Sequence, residues 1–298
     1  MNRTDAAPRT EATPGLGTPQ RASRAVRWLR WLWWFIRKKP LGAFGALLIL
    51  ILLATAAFAP LLAPQHYSDQ VLSEALMGPS RDHLLGTDWV GRDLLSRIIY
   101  GARVSIVVGF GAVAISTVLS TVLGVVTGYY GGLVDTLIQR VVDMWIAFPA
   151  IVLLISIIAV FGTGVSQVTI ALGILLAAGS TRVVRSAVIA IKNNQYIESA
   201  RALGAGDLRI LTWYVVPNIM ATIIVLATVQ LGTAILAEAT LSFLGYGVPP
   251  PQPSWGQMLS LSSLQFMRDV PGLAIFPGVA IALAVYGFNM LGDALRDV

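Results

Sequence analysis

The sequence predicts an all-α polytopic membrane protein with six transmembrane helices and both termini on the cytoplasmic side. Three observations predict this. Of 298 residues, 56% are hydrophobic and only 12% are charged, with a mean hydropathy of +0.73. A soluble domain carries about a quarter charged residues, so this chain has more apolar mass than a water-facing surface can hide. Long stretches without charge also recur along the chain. Finally, nine of the 21 Lys and Arg residues fall in the first 39 positions, just ahead of the first apolar run. Basic charge in that place is a topology signal rather than a nucleic-acid footprint, and no nucleic-acid partner is expected.

Residues 1–26 are rich in Ala, Pro, Thr, Gly and Arg without an apolar period, and read as a disordered cytoplasmic tail. Residues 27–62 hold an interfacial segment and the first helix. Trp28, Trp31, Trp33 and Trp34 alternate with Arg27, Arg30, Arg37, Lys38 and Lys39, the pattern of indoles at headgroup depth and cations on anionic lipid. Leu41–Ala59 then runs 19 residues without a charge, about 28 Å of helix, enough to cross the hydrocarbon core. Ala57-Phe58-Ala59 resembles a signal-peptidase site. The run is longer than a signal peptide's apolar region, and Pro60 would begin the mature chain, so a retained helix is expected.

Residues 63–101 are polar, contain both histidines (His66 and His83), and form the predicted outer segment. The transmembrane domain is expected over 102–292, with helices near 103–127, 141–161, 165–190, 215–240 and 271–291, and 293–298 as a cytoplasmic C-terminus. Arg182 and Arg185 make the fourth span the least regular. With the N-terminus inside, sixteen Lys and Arg fall on inner segments and five on outer ones, as the positive-inside rule requires. Arg140 and Asp143, one turn apart at a helix end, read as an interfacial pair. No internal repeat is evident, which disfavours transporters built from inverted repeats.

Several chemistries are excluded. There is no cysteine, so no thiolate metal site, and two histidines in an outer segment make neither a metal cage nor an intramembrane catalytic dyad. Lys38, Lys39 and Lys192 are the only lysines. None lies in a phosphate-cradling G-x-x-x-x-G-K-[ST] loop, and no metalloprotease or nucleophile-elbow motif occurs.

Residues 192–217 interrupt the apolar pattern on the inner side. Gln195–Leu203 reads as a short helix with Ile197, Ala200 and Leu203 on one side and Glu198 and Arg201 on the other. Gly204 is placed to end that helix at positive φ, Asp207 to cap the next, and Pro217 to kink the chain as it enters the membrane. Ser199 and Ala200 would offer a small-residue surface to another protein. From these residues alone, a solvated loop and a recognition surface are equally good readings.

Glu198-Ser199-Ala200, three residues, Gly204, nine residues and Tyr214-Val215-Val216-Pro217 resemble the E-A-A-x3-G-x9-I-x-L-P loop of ABC importer permeases, with mild departures at Ser199, Tyr214 and Val216. Gly86-Thr87-Asp88-Trp89-Val90-Gly91-Arg92-Asp93, Leu95-Ser96-Arg97, Gly101-Ala102-Arg103, Gly128-Tyr129-Tyr130-Gly131-Gly132 with Asp135, Leu241-Ser242-Phe243-Leu244-Gly245 and Pro253-Ser254-Trp255-Gly256 resemble the dipeptide/oligopeptide/nickel (DppC/OppC-type) permeases. So does the run Asn289-x-Leu291-Gly292-Asp293. The match begins near Arg37 and reaches the C-terminus.

The resemblance implies a type I ABC importer permease fold in a prokaryotic inner membrane. It implies a second homologous permease, two ATP-binding subunits carrying ATP and Mg, an extracytoplasmic solute-binding protein, surrounding lipid, and no cofactor or catalytic residue on this chain. It also implies that Glu198, Ser199, Ala200, Arg201, Gly204 and Pro217 couple to the ATPase. Gly86, Thr87, Asp88, Gly91, Arg92, Asp93 and Glu238 are expected contacts with the partner permease or the binding protein. Glu238 has two open roles, a functional carboxylate or a structural hydrogen-bonding group. The solute would be a dipeptide, oligopeptide, nickel complex, glutathione or oligosaccharide. The competing function is a self-sufficient secondary transporter or channel, for which Asp143 and Glu238 are a thin supply of ion-coupling acids.

Overall fold

The computed structural model describes residue 33, residues 36–260 and residues 264–297. The expected tail of residues 1–26 and most of the tryptophan-rich segment lie outside the described residues. The chain divides into two units at Lys38/Lys39. In the first, the Arg37 guanidinium lies 4.3 Å above the Trp33 ring. The second holds everything below.

Its helices are α1 (Pro40–Ala57), α2 (Ala59–Leu62), α3 (Leu94–Tyr130), α4 (Gly132–Ala147), α5 (Ala150–Phe161), α6 (Val165–Ile191), α7 (Gln195–Ala202), α8 (Asp207–Ile210), α9 (Val216–Phe243), α10 (Trp255–Met258) and α11 (Gly272–Arg296). Among the described residues, five helical runs are long and apolar enough to cross a membrane, and six if the bent pair α4–α5 counts as one. Side chains such as Leu61, Leu133, Val160 and Phe161 are more than 70% exposed. Bare apolar groups at this density are what a lipid-solvated surface looks like.

Three boundaries differ from the sequence expectation. The second span begins at Leu94 rather than near 103, because Asp93 caps it: its Oδ2 accepts the Ser96 N–H at 2.7 Å. At 37 residues, α3 is about 55 Å long and projects beyond the hydrocarbon core. The third span is not one helix over 141–161. It breaks at Phe148-Pro149 with a bend of 93°. The proline pushes Phe148 into extended geometry (ψ 142°) and offers no N–H to the Trp145 carbonyl. At Pro217, where a kink is expected, the helix is not interrupted. Asp207–Phe243 continues as a single run, because the turn Leu211–Val215 widens to π geometry, with the Val216 N–H reaching back five residues to the Leu211 carbonyl. The Asn218 side-chain amide donates to the Tyr214 carbonyl at 2.6 Å.

The main core gathers Leu94, Val108, Leu172, Ile235, Leu241, Leu273 and Phe288 from α3, α6, α9 and α11. α3 and α6 lie closest. A Cβ on Gly124 or Gly128 would come within 2.8 Å of Val184 or Val188, so glycine there permits the dispersion contact that holds helices together in lipid. A second, smaller cluster sits at the other end of these helices: Val125, Val184, Val188, Ile197, Ile210, Leu211, Val215, Ile219 and Ile223. This cluster seats the functional site.

Candidate functional site

The site is the short helix α7, the turn after it and α8. Ile197 is fully buried in the smaller cluster and Ala200 is nearly so. These two anchor α7 side-on beneath the ends of α3, α6 and α9. Leu203 does not join them as the i, i+3, i+6 spacing suggested. It is 89% exposed, because six residues at 100° each turn through 600°, 120° away from Ile197. Of the expected small-residue surface, Ser199 faces outward and Ala200 does not.

The turn is a complete Schellman motif. The Ala205 N–H bonds the Ala200 carbonyl at 3.0 Å and the Gly204 N–H bonds the Arg201 carbonyl at 2.9 Å. Gly204 has φ +82°, and a Cβ there would meet nothing within 4 Å. The demand for glycine is therefore one of backbone conformation, not of space.

Asp207 does not cap α8; Gly206 is its N-cap, and no side chain caps it. The Asp207 Oδ1 instead accepts the Tyr129 hydroxyl at 2.8 Å. Arg201 donates to the same hydroxyl at 3.2 Å, and its pKa is raised, first by that hydrogen bond. Nearby, Lys192 donates to the Gly128 carbonyl at 3.0 Å. Arg185 grips Asp135 through two bonds of 2.6 and 2.5 Å, the fork geometry of strong guanidinium–carboxylate pairs. The end of α3 is thus bolted to the start of α4, the end of α6 and the α7–α8 turn. Asp143 pairs at 2.5 Å with Arg182 and at 3.8 Å with its expected partner Arg140.

Glu198, Ser199, Arg201 and Gly204 come together on one outward rim, while Pro217 lies further along, at the start of α9. Leu203, Leu208 and Trp213 stand bare beside that rim, at 89%, 75% and 75% exposure. The sequence reading assigned no role to these three or to Tyr129. The signal for Leu203 was available in its angular position. Tyr129 had none, because its partner is 78 residues away.

The second expected contact group lies mostly inside the chain. Gly86, Thr87, Asp88, Gly91 and Asp93 are buried within the chain, and Arg92 is largely so. They knit residues 71–97 together. Asp88 Oδ1 accepts the Val90 and Arg92 N–H groups at 3.0 and 2.9 Å. Its other oxygen lies 3.6 Å from Arg92 Nε and 3.7 Å from Arg97 Nε. His83 bridges Asp93 and Glu74, each at 3.1 Å. Thr87 donates to the Glu74 carbonyl at 2.5 Å. Their polar side chains serve the tight turns that build the segment. Glu238 is likewise internal. It is fully buried, with its carboxylate accepting from Ser242 at 2.7 Å, from Ser105 at 3.4 Å and from Ser254.

Together the geometry defines a polytopic transport subunit: a bundle of spans with an anchored helix whose outer face is bare. Residues 120–298 match the binding-protein-dependent transport system inner membrane component family, and residues 28–79 match the N-terminal transmembrane domain of oligopeptide transport permease C. The chain belongs to this family of inner-membrane permeases of ABC importers. It is 42% identical over 262 residues to the dipeptide transport system permease protein DppC of Alkalihalophilus pseudofirmus, covering 88% of this chain and 86% of that one. It is 41% identical over 264 residues to the glutathione transport system permease protein GsiD of Escherichia coli O6:K15:H31, with the same coverage. Among solved structures it resembles the inward-facing MetNI methionine ABC transporter, with a TM-score of 0.55, 20% identity, and coverage of 67% of this chain and 95% of that one. That likeness concerns the fold. The chain is a transport subunit of a binding-protein-dependent importer, and ATP hydrolysis belongs to separate subunits of such systems.

Proposed function

We propose that this chain forms half of the translocation pathway of an importer for short peptides or a related small solute such as glutathione. A second homologous permease supplies the other half. Two ATP-binding subunits carry ATP and Mg below, and an extracytoplasmic solute-binding protein delivers from outside. The chain crosses the membrane six times, with α4–α5 as one bent span and both termini inside. The charge asymmetry of sixteen Lys and Arg against five supports that orientation.

One observation carries the coupling assignment: α7 is held from behind by Ile197 and the Schellman turn, while Leu203, Leu208 and Trp213 are left bare beside it. A rigid helix with an uncovered apolar rim is built for a partner's cleft. Closure of the ATPase pair would push α7 as a rigid body and rock the spans behind it. The names of the DppC and GsiD relatives support a peptide-like solute.

The test is co-purification of the tagged chain in mild detergent, with Leu203→Glu and Leu208→Glu beside the unaltered chain. The unaltered chain should bring down ATP-binding subunits and a second polytopic chain, and the variants should lose the ATPase while keeping the permease. Solute uptake by this chain alone, on an ion gradient without ATP, would sink the reading.

A further inference from the structure

Where α1 ends, a cavity of about 400 Å³ opens beside α3. α1 has 18 residues, about 27 Å of helix and close to the thickness of the hydrocarbon core, so its last turn marks a headgroup boundary. Arg103 on α3 fixes the cavity at that level. Its Nε donates to the Ala56 carbonyl at 3.1 Å and its Nη2 to the Ala57 carbonyl at 3.4 Å. Helix ends leave such carbonyls without partners, and Pro60, four residues after Ala56, has no N–H to give. The α7–α8 rim lies at the opposite ends of α3 and α6.

One side of the cavity is polar. The Tyr67 and Tyr100 rings meet edge-on at 4.9 Å, and the His66 ring packs against them at 4.3 and 5.6 Å, so the two phenols hold each other in place. Among the described residues neither phenol hydroxyl has a hydrogen-bond partner, and neither is sealed from solvent. Gln252, on the same wall, is exposed. Arg103 has no acidic partner among the described residues, and none of those lining the cavity is Asp or Glu. The other side is apolar, formed by Val104, Val107 and Val165. From there Val107, Phe110 and Val118 continue along α3, at 51%, 40% and 62% exposure. Val107 and Val118 share a face, since eleven residues make about three full turns. A bare apolar stripe thus runs from the cavity toward the middle of the bilayer.

We infer that this cavity seats the headgroup of an anionic phospholipid of the phosphatidylglycerol type, with an acyl chain laid along the α3 stripe. A phosphodiester offers acceptor oxygens and a negative charge, which matches a guanidinium, two phenol hydroxyls and a side-chain amide. A zwitterionic headgroup brings an ammonium that needs a carboxylate, and this wall supplies none. A soluble anion would satisfy Arg103 but leave the stripe below it uncovered. The inference goes beyond the transport reading and is independent of the solute carried. In the orientation proposed above, the lipid belongs to the outer leaflet.

The test is native mass spectrometry of the chain, purified in mild detergent with the subunits that accompany it and titrated with phosphatidylglycerol. Arg103→Gln keeps a donor for Ala56 and removes the charge. Gln252→Glu alters an exposed loop residue and sets a negative charge at the cavity, so it serves if the first variant fails to assemble. Each should weaken the tightest phosphatidylglycerol site roughly tenfold, the size of one charge-assisted hydrogen bond. Phosphatidylethanolamine should bind weakly to the unaltered complex. Undiminished phosphatidylglycerol binding in Gln252→Glu overturns the inference. Phosphatidylethanolamine held as tightly as phosphatidylglycerol overturns the anionic assignment. Loss of a second polytopic chain from a folded variant, with lipid binding unchanged, gives this face to a protein neighbour and overturns the inference. A raised KM for dipeptide uptake, again with lipid binding unchanged, gives Arg103 to a solute carboxylate and overturns it as well.

Discussion

The Tyr129 hydroxyl and the Asp207 carboxylate meet at 2.8 Å, joining the last turn of the longest helix to the first residue of α8. Arg201 closes on the same oxygen from the end of α7. One hydroxyl thus ties the α7–α8 rim to a helix long enough to cross the membrane. Removing it should loosen the rim without unseating it, since Ile197 remains buried. Tyr129→Phe removes both hydrogen bonds of this hydroxyl and is expected to cost about 1–2 kcal/mol of stability. The larger effect should be on coupling: less solute moved per ATP hydrolysed, measured by parallel uptake and phosphate-release assays in proteoliposomes.

Gly204 makes a sharper distinction. Its surroundings are empty, so only its φ of +82° resists substitution. Gly204→Val should carry a conformational penalty of about 1–2 kcal/mol, and Gly204→Asn clearly less, because asparagine visits the left-handed region routinely. Uptake should fall strongly in the valine variant and be largely kept in the asparagine variant, with normal membrane insertion in both. Equal loss in the two would mean that the residue contacts the partner through its lack of a side chain.

His83 gives residues 71–97 a pH dependence. Burial pulls its pKa down, but the Asp93 and Glu74 carboxylates on its two ring nitrogens outweigh this and hold it above the ordinary 6.5. A group whose pKa is raised by folding stabilises fully below its unfolded value, and that stabilisation is lost as pH rises through the folded value. Residues 71–97 should therefore be tightest below about pH 6.5 and loosen as the pH rises above it. Glu74 is the contact that yields first, since its side chain is 41% exposed while that of Asp93 is 1% exposed and also caps α3. Trp89, stacked on Phe266 at 6.3 Å, offers a fluorescence readout. Its signal should change as the pH is raised above about 6.5 and be flat in His83→Phe.

Glu238 tests how a carboxylate survives in an apolar bundle. Glu238→Gln keeps a polar group for Ser242, Ser105 and Ser254 and should cost little. Glu238→Leu strands hydroxyls that are themselves buried and should cost about 1–3 kcal/mol. Thermal unfolding of the purified complex in detergent separates the two. Equal stability of the leucine variant would show that the serines find other acceptors.

The spans were legible in the sequence because apolar length and charge asymmetry act locally, and a helix in lipid must satisfy its own backbone whatever its neighbours do. The short helix α7 and its turn were legible because Gly204 and the flanking helix formers act within one turn. Pro149 was visible too, but its 93° break was not predicted, since a proline in an apolar run bends a helix by an amount its packing decides.

Tertiary structure alone decided the rest. Thr87, Asp88 and Asp93 looked like a polar outer surface, and only the fold turned them inward onto Glu74, His83 and Arg97. Pro217 marked a break in the sequence, whereas the chain runs on through it with a π turn just ahead. Trp145, Ser180 and Thr233 are unremarkable in sequence, 35 and 53 positions apart, and share a cavity only because three spans converge. Local chemistry decides what a segment can be. Which side chains meet is set by long-range packing, and one sequence read without its fold holds no record of that.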